Sequence, residues 1–344
     1  MKKRIYYMDY LRAIAIIGVL ALHAAAPYVT MYQKVDFWTW ESGIIYNALV
    51  RWCVPIFLMI SGALLLGRKE ESLSTFFKKR ANKILIPFVV WSVIYYIWRT
   101  YMWYPGYSIK EMLILFFNNN IYYHLWYFYA LVGIYLLIPM FNVFVNHASR
   151  TLVGYIVGLW ILFYGGLRYY SFIVSNEFYS FFPLSEYIGM ILMGYYFGKY
   201  DHNFKTRIVI YICGGIGAIA TILRTNSLTF DQGAFSGYAY SYSSPNVIAM
   251  SIALFVFVKY AIGRLQEKPN FAPGKTVKLI ASTSFGVYLI HPIILDKLRP
   301  FFHDGTNIII HPVIGIPAQT ILLLIISVTI AWVIGKIPYI RRII

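Results

Sequence analysis

Long apolar stretches recur along the whole chain and constrain its fold more than any other feature. They lie near residues 8–30, 43–66, 84–103, 122–145, 151–167, 186–200, 207–223, 246–263, 279–296 and 313–335. A helix needs about 20 apolar residues to cross a bilayer; the fifth and sixth stretches are short. Only 12% of the 344 residues are charged, whereas soluble domains have about 25%. The sequence therefore predicts an all-α polytopic membrane protein of about ten transmembrane helices, forming a single domain over residues 1–344.

Lysine and arginine residues are concentrated in alternate loops. If the N-terminus is cytoplasmic, 21 of the 30 Lys and Arg residues lie on the cytoplasmic side and six on the opposite side. This distribution follows the positive-inside rule, so both termini are predicted to be cytoplasmic. The net charge of +17 thus reflects topology and contact with anionic membrane lipids. It does not indicate a nucleic-acid partner.

The first apolar stretch contains ionisable residues, which are costly in hydrocarbon and are therefore candidates for function. Arg12 and His23 share one helix face, about 16 Å apart along the axis, and Asp9 is spaced to pair with Arg12. An arginine near the cytoplasmic end can bind phosphate, and a deeper imidazole can take a proton from a hydroxyl. This arrangement suits an elongated phosphorylated ligand such as coenzyme A. The alternative is that Arg12 extends to the interface and His23 is hydrogen-bonded within the bundle.

The loop before the third apolar stretch is strongly basic. Arg80 and Lys83 are three residues apart, so they share a face if the segment is helical. At the cytoplasmic interface they would lie level with Arg12. The segment is interpreted as a phosphate cradle or as a positive-inside anchor, and the two roles are compatible.

Other polar residues lie in or beside the later stretches. His124 and Glu186 lie at the starts of stretches, and His291 lies on a helix that a proline bends or ends. Each could equally be an interfacial residue. The seven histidines lack ligand spacings such as His-x-x-x-His, so no metal site is expected. Ser61 and Gly62 lack a nearby base, and small residues there favour close helix packing.

These residues and their order resemble the acyltransferase 3 family of bacterial membrane acyltransferases. Arg12 and His23 match the arginine and histidine that the family separates by ten residues in its first helix. Further matching segments are 54–62, 80–87, 124–127, 135–139 and 284–292. The resemblance extends from the first helix to the ninth.

The resemblance implies ten helices in the bacterial cytoplasmic membrane, acetyl-CoA or another acyl-CoA as donor, and a glycan acceptor. It implies that His23 is the catalytic base and that coenzyme A is bound by Arg12, Arg80 and Lys83. The family often has arginine where this chain has Lys83, and lysine keeps the charge but loses the bidentate fork. Supporting roles are predicted for Asp9, His124, Glu186, Tyr288 and His291.

The favoured hypothesis is an O-acyltransferase acting on a hydroxyl of a cell-envelope glycan or a lipid-linked sugar. The sequence leaves open whether His23 deprotonates the acceptor or carries the acyl group itself. One alternative is a transporter or flippase for such a glycan, although the paired broken helices of many transporters are not evident. Another is a sensor that has lost catalysis, against which the intact Arg12 and His23 argue.

Overall fold

The computed structural model describes residues 4–69, 71–103, 106, 108–167, 170, 186–268 and 270–344. In these ranges the α-helices are α1 (Tyr6–Val29), α2 (Phe37–Leu49), α3 (Cys53–Leu65), α4 (Leu73–Arg80), α5 (Ile86–Met102), α6 (Ile109–Phe117), α7 (Trp126–His147), α8 (Arg150–Trp160), α9 (Ile188–Lys199), α10 (Phe204–Gln232), α11 (Pro245–Gln266), α12 (Lys275–Leu298) and α13 (Pro312–Lys336). A π-helical turn, Ala81–Leu85, joins α4 to α5, and a second, Ile161–Leu167, continues α8. The strands β1 (His303–Asp304) and β2 (Asn307–Ile308) form an antiparallel hairpin.

Eight helical segments of the described chain are long and apolar enough to cross a membrane. They are Tyr6–Val29, Phe37–Leu65, Leu73–Met102, Trp126–His147, Phe204–Gln232, Tyr238–Gln266, Lys275–Phe301 and Pro312–Lys336. The all-α membrane architecture is thereby confirmed. The fifth and sixth predicted stretches are also helical but shorter, at Arg150–Gly166 and Ile188–Lys199. The count of ten spans and the cytoplasmic termini stay predictions.

The second predicted span is interrupted. Turn residues 50–52 separate α2 from α3, and Pro55 lies three positions into α3. Proline has no N–H, so the carbonyl of Arg51 loses the hydrogen bond that residue 55 would otherwise donate. The chain here departs from the continuous helix that hydropathy predicted. This interruption places an arginine inside the bundle.

Glycines bring the short helix α9 into close contact with α3. A Cβ atom added at Gly62 would lie 1.9 Å from the carbonyl oxygen of Ile191, and one at Gly194 would lie 1.9 Å from that of Met59. Only glycine permits this approach of two backbones. The packing role predicted for Gly62 is confirmed. The helix α9 is buried over most of its length and belongs to the hydrophobic core of the bundle.

Candidate active site

Three histidines from distant parts of the sequence meet inside the bundle. His23 comes from α1, His124 from the segment before α7, and His291 from α12. The His23 and His291 ring centroids are 5.1 Å apart, and those of His124 and His291 are 5.7 Å apart. His124 and His291 are 1% and 0% exposed, whereas His23 is only half-buried. His23 is therefore the member of the cluster with surface left for a ligand.

The ring nitrogens of this cluster are incompletely satisfied. Nδ1 of His291 lies 2.7 Å from the carbonyl oxygen of Tyr288, so this nitrogen carries the proton and donates it. Nε2 of His291 and both ring nitrogens of His124 are buried without a partner among the described residues. Burying an unpaired polar atom costs about 1–3 kcal/mol. Such atoms are suited to a polar group that enters the site.

Tyrosines hold the histidines in place. The Tyr123 ring lies 5.0 Å from His23, and the Tyr95 ring lies 4.5 Å from His124. Tyr288 donates a hydrogen bond to the backbone carbonyl of His124. Tyr95 donates one to the carbonyl of Leu289 at 2.6 Å. These contacts join α5, α12 and the segment before α7 around the cluster and limit the freedom of its rings.

A cavity of about 260 Å³ extends from the basic end of the bundle to Tyr288, a neighbour of this cluster. Arg12 and Arg80 line the cavity together with Ser61, Tyr127 and Tyr288. Tyr288 is also one of the tyrosines that contact the histidines. Arg12 and Arg80, 68 positions apart in the sequence, thus share one space whose wall adjoins the histidine cluster.

The two arginines of this cavity have different surroundings. Arg12 donates a hydrogen bond to Asp9 at 3.1 Å, which confirms the predicted pair, and the buried Asp9 also accepts one from Arg4 at 2.6 Å. The guanidinium of Arg80 lies 5.2 Å from the Phe76 ring, and its Nε atom is buried without a partner among the described residues. Arg12 is therefore held by a carboxylate, whereas Arg80 keeps donors for a ligand.

Lys83 and Glu186 lie apart from these groups. Lys83 lines a neighbouring cavity of about 730 Å³ together with Arg341 and Arg342. Glu186 accepts hydrogen bonds from Ser243 at 2.6 Å and from Ser241 at 3.4 Å. The structure thus gathers His23, His124, His291 and Tyr288 at one place and Arg12, Arg80 and Asp9 at another.

Sequence reasoning gave no role to Arg51, which the interruption after α2 places beside the cluster. Its guanidinium donates to the side chain of Asn47 and lies 4.1 Å from the Tyr240 ring centroid. Asn47, which is fully buried, donates to the carbonyl of Leu22 at 3.0 Å, next to His23. The available signal was a charged residue inside an apolar stretch.

Asp296 is a second residue that sequence reasoning missed. It is 8% exposed, lies 4.0 Å from Arg299 and accepts hydrogen bonds from Tyr122 and, at 2.9 Å, from Trp98. Its position five residues after His291, at the end of the predicted ninth stretch, was the available signal. Across the described ranges, no group of three or more His, Cys, Asp or Glu side chains is arranged to hold a metal ion.

Comparisons with known proteins identify relatives over almost the whole chain. The chain is 23% identical over 337 residues to the "Probable poly-beta-1,6-N-acetyl-D-glucosamine export protein" of Staphylococcus aureus strains MSSA476, MW2 and N315, covering 90% of this chain and 88% of each relative. No solved structure matches it significantly. The family model described as "Acyltransferase domain" matches residues 5–336. This chain therefore belongs to the acyltransferase 3 family.

Proposed function

We propose that the protein is an integral membrane O-acyltransferase of the bacterial cytoplasmic membrane. It moves an acyl group, by default acetyl, from cytoplasmic acyl-CoA to a hydroxyl of a cell-envelope or extracellular glycan. The observation that carries this proposal is the cavity that extends from Arg12 and Arg80 to Tyr288. Tyr288 contacts His124 and His291, and His291 in turn contacts His23. Family membership supports acyl transfer; the donor and the acceptor are our inference.

The donor site fits an elongated thioester with a phosphorylated end. Arg12 and Arg80 supply guanidinium groups, which bind phosphate in a bidentate manner. The apolar lining between them and Tyr288 includes Phe57, Leu131 and Ile84 and suits a pantetheine arm. The helical rise puts His23 about 16 Å from Arg12 along α1, so phosphate binding at one end brings the thioester to the other.

The chemistry requires one base near the Tyr288 end of this cavity. His23 takes the proton of the acceptor hydroxyl while the oxygen attacks the thioester carbonyl. The carbon–sulfur bond then breaks, the thiolate leaves and takes the proton back from His23, and the products are the glycan ester and free coenzyme A. His291 keeps its protonated Nδ1 bonded to the Tyr288 carbonyl. Its Nε2 atom is thereby available as an acceptor beside His23.

A second route uses His23 as a nucleophile. In that route the imidazole displaces the thiolate to form an acyl-histidine, and the acceptor oxygen then attacks the acyl group. Rapid quenching after mixing with acetyl-labelled donor separates the two routes. Label bound to the protein before acceptor is added supports the acyl-enzyme, and its absence during steady turnover supports the base role.

The export function named for the staphylococcal relatives is a second candidate. In this function the bundle would move a polymer of N-acetylglucosamine across the membrane without changing it. The two candidates differ in one observable: an acyltransferase consumes acyl-CoA with no gradient and no compartments, whereas an exporter requires sealed vesicles. The absence of thiol release, together with movement of the oligosaccharide into vesicles, would favour export.

The test is thiol release from acetyl-CoA by the purified full chain in neutral-lipid nanodiscs. It is measured with and without β-1,6-linked N-acetylglucosamine oligosaccharides. We expect wild-type turnover, its loss in His23→Ala, and an increased KM in Arg12→Ala. The matched controls are His147→Ala, at an exposed position at the far end of α7, and Arg264→Ala, at an exposed position near the end of α11. If His23→Ala turns over like wild type, the catalytic assignment is wrong.

A further inference from the structure

A second basic cavity adjoins the donor cavity. It has a volume of about 730 Å³ and is lined by Lys83, Arg341 and Arg342. Ile84 and Phe285 line both this cavity and the one that contains Arg12 and Arg80. The two cavities therefore meet at the side chains of Ile84 and Phe285. A single ligand with two phosphorylated sites can reach both.

The turn that supplies the two arginines is docked onto the bundle. Trp91 of α5 donates a hydrogen bond to the carbonyl of Ile343 at 2.8 Å. Ile344 packs over Gly286 of α12, where an added Cβ would lie 3.3 Å from that of Ile344. Tyr339 takes a left-handed backbone conformation, φ 68°, which L-residues rarely adopt. A sharp reversal of the chain and two anchoring contacts thus fix Arg341 and Arg342 beside Lys83.

Among the described residues, no acidic side chain balances the charge of the three basic side chains in this cavity. No acidic side chain lines it, and in the described part of the chain no carboxylate forms an ion pair with Lys83, Arg341 or Arg342. Like charges held together repel unless an anion lies between them. The cavity therefore suits a phosphate group. The guanidinium groups of Arg341 and Arg342 can bind it through two parallel hydrogen bonds each, which the ammonium group of Lys83 cannot form.

Another basic cavity, next to Arg80, is less suited to an anion. It contains Arg68 and Lys69 but also Glu71. A hydrogen bond from Lys79 and its charge lower the pKa of Glu71, so this carboxylate stays negative at neutral pH. It repels a phosphate that approaches the same space. The cavity with Arg341 and Arg342 is therefore the better phosphate site.

We propose that Lys83, Arg341 and Arg342 bind the 3′-phosphate of the acyl-CoA donor while Arg12 and Arg80 bind its diphosphate. This inference rests on the proposed function. Coenzyme A carries the 3′-phosphate on its ribose, beyond the diphosphate as seen from the thioester. The turn after α13 thereby becomes part of the donor site and makes it selective for coenzyme A over its dephosphorylated precursor.

The test compares the binding of coenzyme A and dephospho-coenzyme A to the purified full chain in neutral-lipid nanodiscs. We expect wild type to bind coenzyme A about tenfold more tightly, which corresponds to about 1.4 kcal/mol. Arg341→Gln/Arg342→Gln should bind the two forms equally, with the affinity for dephospho-coenzyme A unchanged. Arg341→Lys/Arg342→Lys should retain part of the preference. The control is Lys205→Gln/Arg264→Gln, which removes two exposed cations elsewhere and should behave as wild type.

Three outcomes overturn the inference, each differently. If wild type binds coenzyme A and dephospho-coenzyme A equally, the 3′-phosphate site is wrong but the proposed function stands. If wild type binds neither ligand, the 3′-phosphate site and the proposed function are both wrong. An unchanged preference in the Gln variant, together with less phosphatidylglycerol retained on purification, assigns the pocket to a lipid phosphate. Elution of each variant as a single peak at the wild-type volume establishes that the comparison concerns folded protein.

Discussion

The histidine cluster and the basic end of the bundle are built by different means. At the cluster, His124 and His291 are almost fully buried, and tyrosine hydrogen bonds join α5, α12 and the segment before α7 around them. At the basic end, Arg12 keeps 31% of its side chain exposed. The histidine rings are thus held in position by packing, whereas Arg12 is held by its ion pair with Asp9. We therefore expect substitutions in the cluster to change kcat and substitutions at the basic end to change KM.

Apart from loss of the base His23 itself, the largest effect should follow from His291→Asn. This change removes the ring that lies 5.1 Å from His23, together with its free Nε2 atom. We expect kcat to fall about 100-fold, in the usual range for loss of a proton-transfer partner, with KM within about twofold of wild type. Thiol release at several acetyl-CoA concentrations measures both constants.

A buried histidine outside the cluster provides the control for that change. His303 is 5% exposed and contacts Tyr28 near the β-hairpin. His303→Asn should keep the wild-type kcat even if it lowers the thermal unfolding temperature. Equal losses of kcat in the two variants would mean that buried histidines act through stability and that the cluster has no special role.

The next effect concerns the basic end. Arg80→Gln should raise KM for acetyl-CoA about tenfold, or about 1.4 kcal/mol, because the guanidinium lines the donor cavity. Its kcat should change little, since Arg80 does not contact the histidines. Lys78→Gln is the matched control, because Lys78 is an exposed cation on the same helix. A fall in kcat without a rise in KM would place Arg80 at the chemical step and break the division between the regions.

Much of the fold was predictable because the bilayer imposes simple rules. A spanning helix must be long and apolar, so hydropathy located every long helix that the structure contains in its described ranges. Local spacing was equally informative: the Asp9–Arg12 ion pair follows from three-residue separation on a helix. These features depend on residues that are close together in the sequence, so one sequence is enough to predict them.

The remaining features depend on contacts between distant segments. The approach of His23 to His291 joins residues 268 positions apart, and hydropathy carries no information on which faces meet. The interruption after α2, the helix α6 and the β-hairpin were also missed, since each is a short departure from a regular pattern. The docking of Ile343 against Trp91 was likewise unpredictable, because the sequence shows the arginines of that turn only as topological charge.

A smaller effect is expected where the two regions meet. Tyr288 lines the donor cavity and donates a hydrogen bond to the His124 carbonyl. Tyr288→Phe removes a bond worth about 1 kcal/mol, so kcat/KM should fall about fivefold, with both constants contributing. Tyr129→Phe is the matched control, because it loses a comparable bond to the Phe116 carbonyl away from the cavity. If only one constant changes in Tyr288→Phe, the residue belongs to one region alone.

The smallest effect is that of salt on the wild-type protein. Raising sodium chloride from about 0.05 M to about 0.5 M shortens the Debye length to below about 5 Å and weakens the attraction of partly exposed arginines for phosphate. KM for acetyl-CoA should rise about two- to threefold, and the rise should be smaller in Arg80→Gln, which has one cation fewer to screen. His124 and His291 are almost fully buried, so mobile ions should not reach them and kcat should not respond. A parallel fall in kcat would show that ions enter the cluster, and charge would then contribute to the chemical step as well as to binding.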